Sequence, residues 1–309
     1  MSEGALVMIW GNLLHLSHNM WEDRFEPTQR RRCYNPRLRF DEKLWKTLLK
    51  KMVDAGMNTV VIDLGDGVMY ASHPEIAVKG AWSTAKLRRE LASMRKMGLE
   101  PLPKLNFSTC HDAWLGEYAR CVSTDTYYGV VRDLIAEVIE LFDTPRLFHL
   151  GMDEETTNHQ RYYEYLVVRQ FDLWWHDLYF YVKEVERGGA RAWVWSDYLW
   201  HHPKEFMKKM PKSVVQSNWY YGESFDTKLE RVKAYLDLER KGYDQIPTGS
   251  NHSCADNLPR TARFAREHIR LKRLLGFLQT PWRPTVGSVR SHHLEAIAAA
   301  GRAIAEWGD

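Results

Sequence analysis

The stretch Arg146-Leu-Phe-His-Leu-Gly-Met-Asp-Glu-Glu155 decides the reading of this chain. Arg146 to Gly151 is a short apolar run that ends in glycine, as a buried strand does. Two adjacent acids, Asp153 and Glu154, follow at once, and helical spacing resumes from about Tyr162. In a parallel α/β protein the side chains at the carboxyl end of a strand point toward the ligand face, so acids placed there are candidates for chemistry. The alternative is that both carboxylates cap the next helix. A cap needs only one acid and abuts its helix.

Outward from that stretch, strand-like and helix-like segments alternate. Strands are expected over Ala5–Leu16, Asn58–Leu64, Leu99–Phe107, Arg146–Gly151, Arg191–Trp195, Ser213–Trp219, Gln245–Ser250 and Leu274–Thr280. Between and after them, helical spacing predicts Asp41–Ala55, Thr84–Met97, Thr124–Phe142, Tyr162–Arg187, Pro203–Met210, Thr227–Lys241, Asn257–Ile269 and Ser291–Trp307. Eight β-then-α units of this kind require parallel strands with crossover helices, and over 309 residues they point to one closed (β/α)8 TIM barrel without a linker. The competing doubly wound sheet carries a phosphate-binding turn after its first strand. Trp10-Gly11-Asn12-Leu13-Leu14 offers no such turn, and no Walker lysine occurs.

Composition excludes several classes. The formal charge of +3 is small, and Arg30-Arg31-Arg32 is a single short basic cluster, so no nucleic-acid partner is expected. The four cysteines show no CxxC spacing, which leaves neither a zinc site nor a redox pair in view. No apolar run reaches membrane-spanning length. No signal peptide is visible, so a cytoplasmic location is expected, or a secreted one if a leader has been removed. Thirteen Trp and 15 Tyr stand out. Indole offers a flat apolar face with one N–H donor, which suits the faces of sugar rings.

If the strand ends converge, they bring together Asp63 and Asp66, Lys104, Asn106 and His111, then His149, Asp153 and Glu154, then Trp195 and Asp197. Trp219, Tyr220 and Tyr221 follow, then His252, Trp282 and Arg283. Carboxylates, amides and indoles on one rim suit a carbohydrate. Metal-dependent hydrolysis would need a preorganised His/Asp set; His15 and His18, at i and i+3, fall on opposite faces of a strand. A conventional retaining glycosidase needs a second carboxylate about 5–5.5 Å from the acid, and Thr248-Gly-Ser-Asn-His252 supplies none. Substrate-assisted hydrolysis, in which a 2-acetamido oxygen attacks the anomeric carbon, needs one acid and a neighbouring carboxylate to orient the amide. Adjacent acids fit, with burial and like charge expected to raise the pKa of one.

His149-Leu-Gly-Met-Asp-Glu154 resembles the His-x-Gly-Gly-Asp-Glu signature of family 20 glycoside hydrolases, the β-N-acetylhexosaminidases. Pro103 to His111 is similar to the family's third-strand segment, Val194-Trp-Ser-Asp197 to its Trp-x-Asp, Asn218-Trp219-Tyr220 to its sixth-strand aromatics, and Trp282 to its eighth-strand tryptophan. The resemblance implies Glu154 as general acid/base and Asp153 as the residue orienting the acetamido group. His111, His149, Trp195, Asp197, Trp219, Tyr220, Tyr221, Trp282, Asp63 and Asn106 would then bind a terminal β-linked N-acetylhexosamine, with no cofactor or metal. The sequence departs from the pattern in four ways. Trp10 to His18 holds no arginine, Met152 replaces the second glycine, the eighth strand reads Trp282-Arg-Pro284 in place of Trp-x-Glu, and the small domain usual ahead of the barrel is not seen. Two other outcomes remain open: a carbohydrate-binding barrel without turnover, and a retaining glycosidase on a non-acetylated glycan.

Overall fold

The computed structural model describes residues 7–25 and 32–308. Eight parallel strands, β1 Ile9–His15, β2 Thr59–Asp63, β3 Glu100–Lys104, β4 Leu147–His149, β5 Arg191–Trp195, β6 Val215–Ser217, β7 Thr248–Gly249 and β8 Gly276–Gln279, form one sheet. In that sheet β1 pairs with both β2 and β8, and isolated bridges Gln216–Gln245 and Trp219–Thr248 close the ring between β6 and β7. The (β/α)8 barrel expected from the sequence is therefore present, as one closed layer of strands inside one layer of helices.

The helices are α1 Glu42–Asp54, α2 Thr84–Lys96, α3 Asp125–Leu141, α4 Asp172–Arg187, α5 Tyr198–His201, α6 Pro203–Lys209, α7 Glu230–Lys241, α8 Asn257–His268 and α9 Arg290–Gly308. Their ends follow the cap residues. The Asp41 carboxylate accepts the N–H groups of Lys43 and Leu44, Ser83 accepts that of Lys86, and Thr124 that of Tyr127. The longer helices turn apolar stripes to the sheet. On α1 that stripe is Leu44, Trp45, Leu48, Leu49 and Met52. Each such side chain is worth about 1.5–3 kcal/mol on burial. Between β1 and β8 the strands come so close that a Cβ on Gly276 would lie 2.2 Å from the Ile9 carbonyl oxygen, which only glycine avoids.

Two expectations are corrected. The helix anticipated from Tyr162 begins at Asp172, after a loop that turns sharply at Phe171, whose φ is +54°. The cause is Arg169, which is buried and draws the loop inward. Its guanidinium pairs with Glu155 at 2.6 Å and with Asp177 at 3.0 Å, and donates to the Phe107 carbonyl at 2.7 Å. The acid pair is thus separated from α4 by 17 residues and caps nothing. Second, β1 ends at His15, so His18 lies in the following loop and folds back until the two imidazoles are 4.9 Å apart. Ala5 and Leu6 of the expected first strand, and Arg30 and Arg31, lie outside the described residues.

Candidate active site

One rung of the barrel carries a buried polar layer. His15, Asp63, Lys104 and His149 are register partners in turn from β1 to β4, and none is more than 2% exposed. The Lys104 ammonium lies 2.6 Å from Asp63, and His15 Nδ1 lies 3.3 Å from the same oxygen. Burial alone would push the Asp63 carboxyl up, but Lys104 and His15 hold it below its usual range. Burial keeps the His149 imidazole neutral, with the neighbouring Lys104 acting in the same direction. Its Nδ1 accepts the Gly151 N–H at 3.0 Å, and its ring packs against Trp193 and Trp195. Asp63 and His149, expected at the sugar, instead form the floor beneath the site.

Above that floor β4 ends in a strained turn. Gly151, Met152 and Glu154 have φ of +74°, +74° and +57°. Glycine takes this region without cost; Met152 and Glu154 do so against their Cβ atoms. At Gly151 there is a second demand. A Cβ there would lie 1.9 Å from Asn106 Oδ1, so the missing side chain makes room for that amide. Asn106 in turn accepts the N–H groups of Ser108 and Met152 and donates to Asp153 Oδ1 at 2.8 Å.

The two acids are not equivalent. The Asp153 side chain is 8% exposed and that of Glu154 35%, while His111 Nε2 lies 3.3 Å from one and 3.4 Å from the other. Burial disfavours charge on His111, yet the two carboxylates overcome it and raise its pKa to about 10. Burial likewise pushes the carboxyls up, and the same imidazolium reverses the direction, holding Asp153 and Glu154 below their ordinary values. This corrects the expectation that one of the pair would be raised. A carboxyl beside the pair is raised instead: Asp197, pushed up by burial and then by Asp153. Its Oδ2 accepts the Glu154 N–H at 2.8 Å, which fixes the left-handed turn from the neighbouring strand.

A cavity of about 430 Å³ opens over the pair, within the size range of small-molecule sites. Among the described residues its walls include Asn106, His111, Asp153, Glu154, Trp219, Tyr220, Tyr221 and Trp282, all expected at the site, together with His252. Asp153 and Glu154 are its carboxylates. Tyr221 accepts the Trp282 indole N–H at 3.0 Å, and burial keeps its own hydroxyl protonated. Trp195 and Asp197 do not reach the wall. Trp195 is 2% exposed and backs both Trp219 and Trp282, at ring distances of 5.7 and 5.8 Å.

Sequence reasoning missed Trp21, Met20, Arg32 and Arg231 as cavity residues. Trp21 and Arg32 come from the loop after β1, six and 17 residues past its end, where no motif marks them. That loop is anchored by Asp66, which accepts from Ser17 and, at 2.9 Å, from Asn19. Trp21 stands between His111 and Trp282, with ring distances of 6.0 and 6.3 Å. In the sequence, the cluster of Trp21 with the basic run at 30–32 was the available sign.

No protein-family model matches the chain, and no curated protein matches its sequence. Solved structures do match. The exo β-N-acetylglucosaminidase of family 20 from Vibrio harveyi, solved with N-acetylglucosamine, superposes with a TM-score of 0.64 at 14% identity, over 95% of this chain and 54% of that one. The family 20 β-N-acetylhexosaminidase from Streptomyces coelicolor A3(2) gives 0.64 at 13%, over 96% and 64%. The β-N-acetylhexosaminidase from Bacteroides fragilis gives 0.60 at 14%, over 94% and 65%. The chain is thus similar in fold to family 20 catalytic barrels, and it spans between about half and two thirds of the length of these matched proteins.

Proposed function

We propose that the chain is a retaining glycoside hydrolase that removes a terminal β-linked N-acetylhexosamine by substrate-assisted catalysis. The observation that carries this reading is the pairing of two unequal acids on one imidazole, in a cavity walled by indoles. Asp153, buried and held by Asn106, stays ionised and is suited to accept the acetamido N–H. Glu154, the more exposed, is suited to reach the glycosidic oxygen. The sugar stacks on Trp282 beside Trp219, and the Tyr221 hydroxyl can donate to the acetamido carbonyl oxygen.

In the first step that carbonyl oxygen attacks C1. The C1–O bond breaks, and the leaving oxygen takes a proton from Glu154. A ring covering Glu154 strips it of water and raises its proton affinity, and His111 is the adjacent donor. Water then attacks C1 of the oxazolinium, giving its proton to Glu154, with net retention. Among the described residues the carboxylates on the cavity wall are Asp153 and Glu154; Asp63 and Asp197 lie behind it, paired with Lys104 and with the Glu154 amide.

A second reading rests on the same groups. Donor atoms of His111, Asp153 and Glu154 all lie within 4.8 Å of one another, a set able to hold a divalent cation. The test compares an aryl N-acetyl-β-glucosaminide with the aryl glucoside, with a thiazoline as inhibitor. Cleavage of the acetamido sugar alone, blocked by thiazoline and nearly abolished on unactivated glycosides by Glu154→Gln, is expected. Equal cleavage of the plain glucoside would refute the assisted mechanism.

A further inference from the structure

Three arginines, Arg32, Arg231 and Arg283, line the cavity, and none has a carboxylate partner among the described residues. Arg32 sits over the Trp21 ring at 5.7 Å, and Arg231 over Trp200 at 4.6 Å. Arg283 Nη1 donates to the Trp282 carbonyl at 3.1 Å, its one side-chain hydrogen bond among the described residues. The two cavity carboxylates and the one His111 imidazolium they share leave a charge of -1 against the +3 of the guanidiniums, a surplus of +2 among the described residues. Neutral sugar hydroxyls need no such surplus. Arg283 follows directly on Trp282, so its charge stands beside the stacking tryptophan.

Arg32 and Arg283 also feel each other. Burial first, and then the Arg32 charge, make the Arg283 guanidinium easier to deprotonate than usual. Two like charges at one cavity wall, neither paired with a carboxylate among the described residues, carry a repulsion that a bound anion would relieve. Guanidinium suits this task, since its planar fork matches a carboxylate or sulfate with two parallel hydrogen bonds.

We propose that the glycan taken by this cavity bears a sulfate or carboxylate group, held at the rim by Arg32 and Arg283. The proposal deepens the hydrolase reading and rests on it. The anion can sit on the sugar that is cleaved or on the sugar that leaves. Arg32 also lines the adjoining hollow beyond Glu154, where His159 and Arg161 stand with Glu22 and Glu154, so an anion at either position is within reach of Arg32.

The experiment has two arms. One compares the 4-nitrophenyl N-acetyl-β-glucosaminide with its 6-O-sulfate. The other compares an N-acetylhexosaminyl-uronic acid disaccharide with the same disaccharide reduced at the carboxyl group. The expected result is a preference of at least tenfold in kcat/KM for the anionic member in one arm, and that arm locates the anion. Arg283→Gln and Arg32→Gln should each cut the preference at least fivefold, as should 0.5 M NaCl. A merely structural role would depress both members of a pair alike and leave their ratio unchanged. Ratios near one in both arms, with neutral substrates turned over, would overturn the anionic proposal while the hydrolase reading stands. If nothing is turned over, calorimetry with the intact glycosides replaces kinetics. Tighter, Arg283-dependent binding of the anionic member then supports the proposal although the hydrolase reading has failed; equal binding, or none, overturns it.

Discussion

Gly151→Ala tests whether the acid pair is positioned as the geometry indicates. The substitution forces an L-residue into φ of +74°, which costs about 1–2 kcal/mol. It also places a methyl 1.9 Å from Asn106 Oδ1. Asn106 is buried and held on three sides by Ser108, Met152 and Asp153, so it cannot swing away freely. Displacing it breaks a hydrogen bond to a charged carboxylate, worth about 1.5–3 kcal/mol. The two effects sum to roughly 2.5–5 kcal/mol of stability. With Asp153 released from its donor, kcat/KM should fall on the order of 100-fold, the scale of a 1 Å misplacement. Chemical denaturation of Gly151→Ala, Asn106→Ala and the double variant separates the terms. In the Asn106→Ala background the clash is gone, so the cost of Gly151→Ala should shrink to the backbone part, about 1–2 kcal/mol. An equal cost in both backgrounds, within about 0.5 kcal/mol, would refute the reasoning, because the amide would then not be what the glycine accommodates.

Arg169→Met should destabilise by roughly 3–5 kcal/mol, because it leaves Glu155 and Asp177 buried without their cation; a thermal or denaturant shift worth less than about 1 kcal/mol would sink the view that Arg169 holds the loop beside the acid pair. His111 has a folded pKa raised to about 10, above the unfolded value of about 6.5. Its contribution is therefore fully present below pH 6.5 and is lost as pH rises through 10, a loss on the order of a few kcal/mol. Denaturant midpoints at pH 6, 8 and 10 should fall along that limb, and His111→Gln should flatten it; an unchanged limb would mean His111 is neutral in the folded protein. Exhaustive treatment with EDTA should leave kcat/KM on the acetamido substrate within about twofold, since the assisted mechanism draws its charge from the imidazolium, and a loss restored by a divalent cation would favour the metal reading of the same three residues.

The barrel was legible because its signals are local and repeated. Asp41, Ser83 and Thr124 announce helix starts by the oxygens they offer to free N–H groups, and Asn58 to Leu64 announces a strand by its β-branched run. The loop between Glu155 and Asp172 misled because its tyrosines mimic helical spacing, while the force that shapes it, the buried pairing of Arg169 with Glu155 and Asp177, joins residues that no local pattern connects. The same limit explains Trp21 and Arg32, which a network around Asp66 brings to the cavity from the far side of a loop.

Depth within the barrel was illegible for a different reason. Asp63 and His149 stand at strand ends as Asn106 and Asp153 nearly do, yet one residue of offset along a strand decides whether a side chain joins the floor or the cavity. Lys104 pairs with Asp63, and burial, with Lys104 acting in the same direction, keeps His149 neutral. The acid turn shows what its motif encodes. Met152 occupies the position where the family signature has its second glycine, and it adopts the left-handed backbone all the same. The neighbours over-determine that conformation: Asn106 accepts the Met152 N–H, and Asp197 accepts the N–H of Glu154. Hydrogen bonds accepted by Asn106 and Asp197, in the loops after β3 and β5, hold this left-handed turn with a methionine in it.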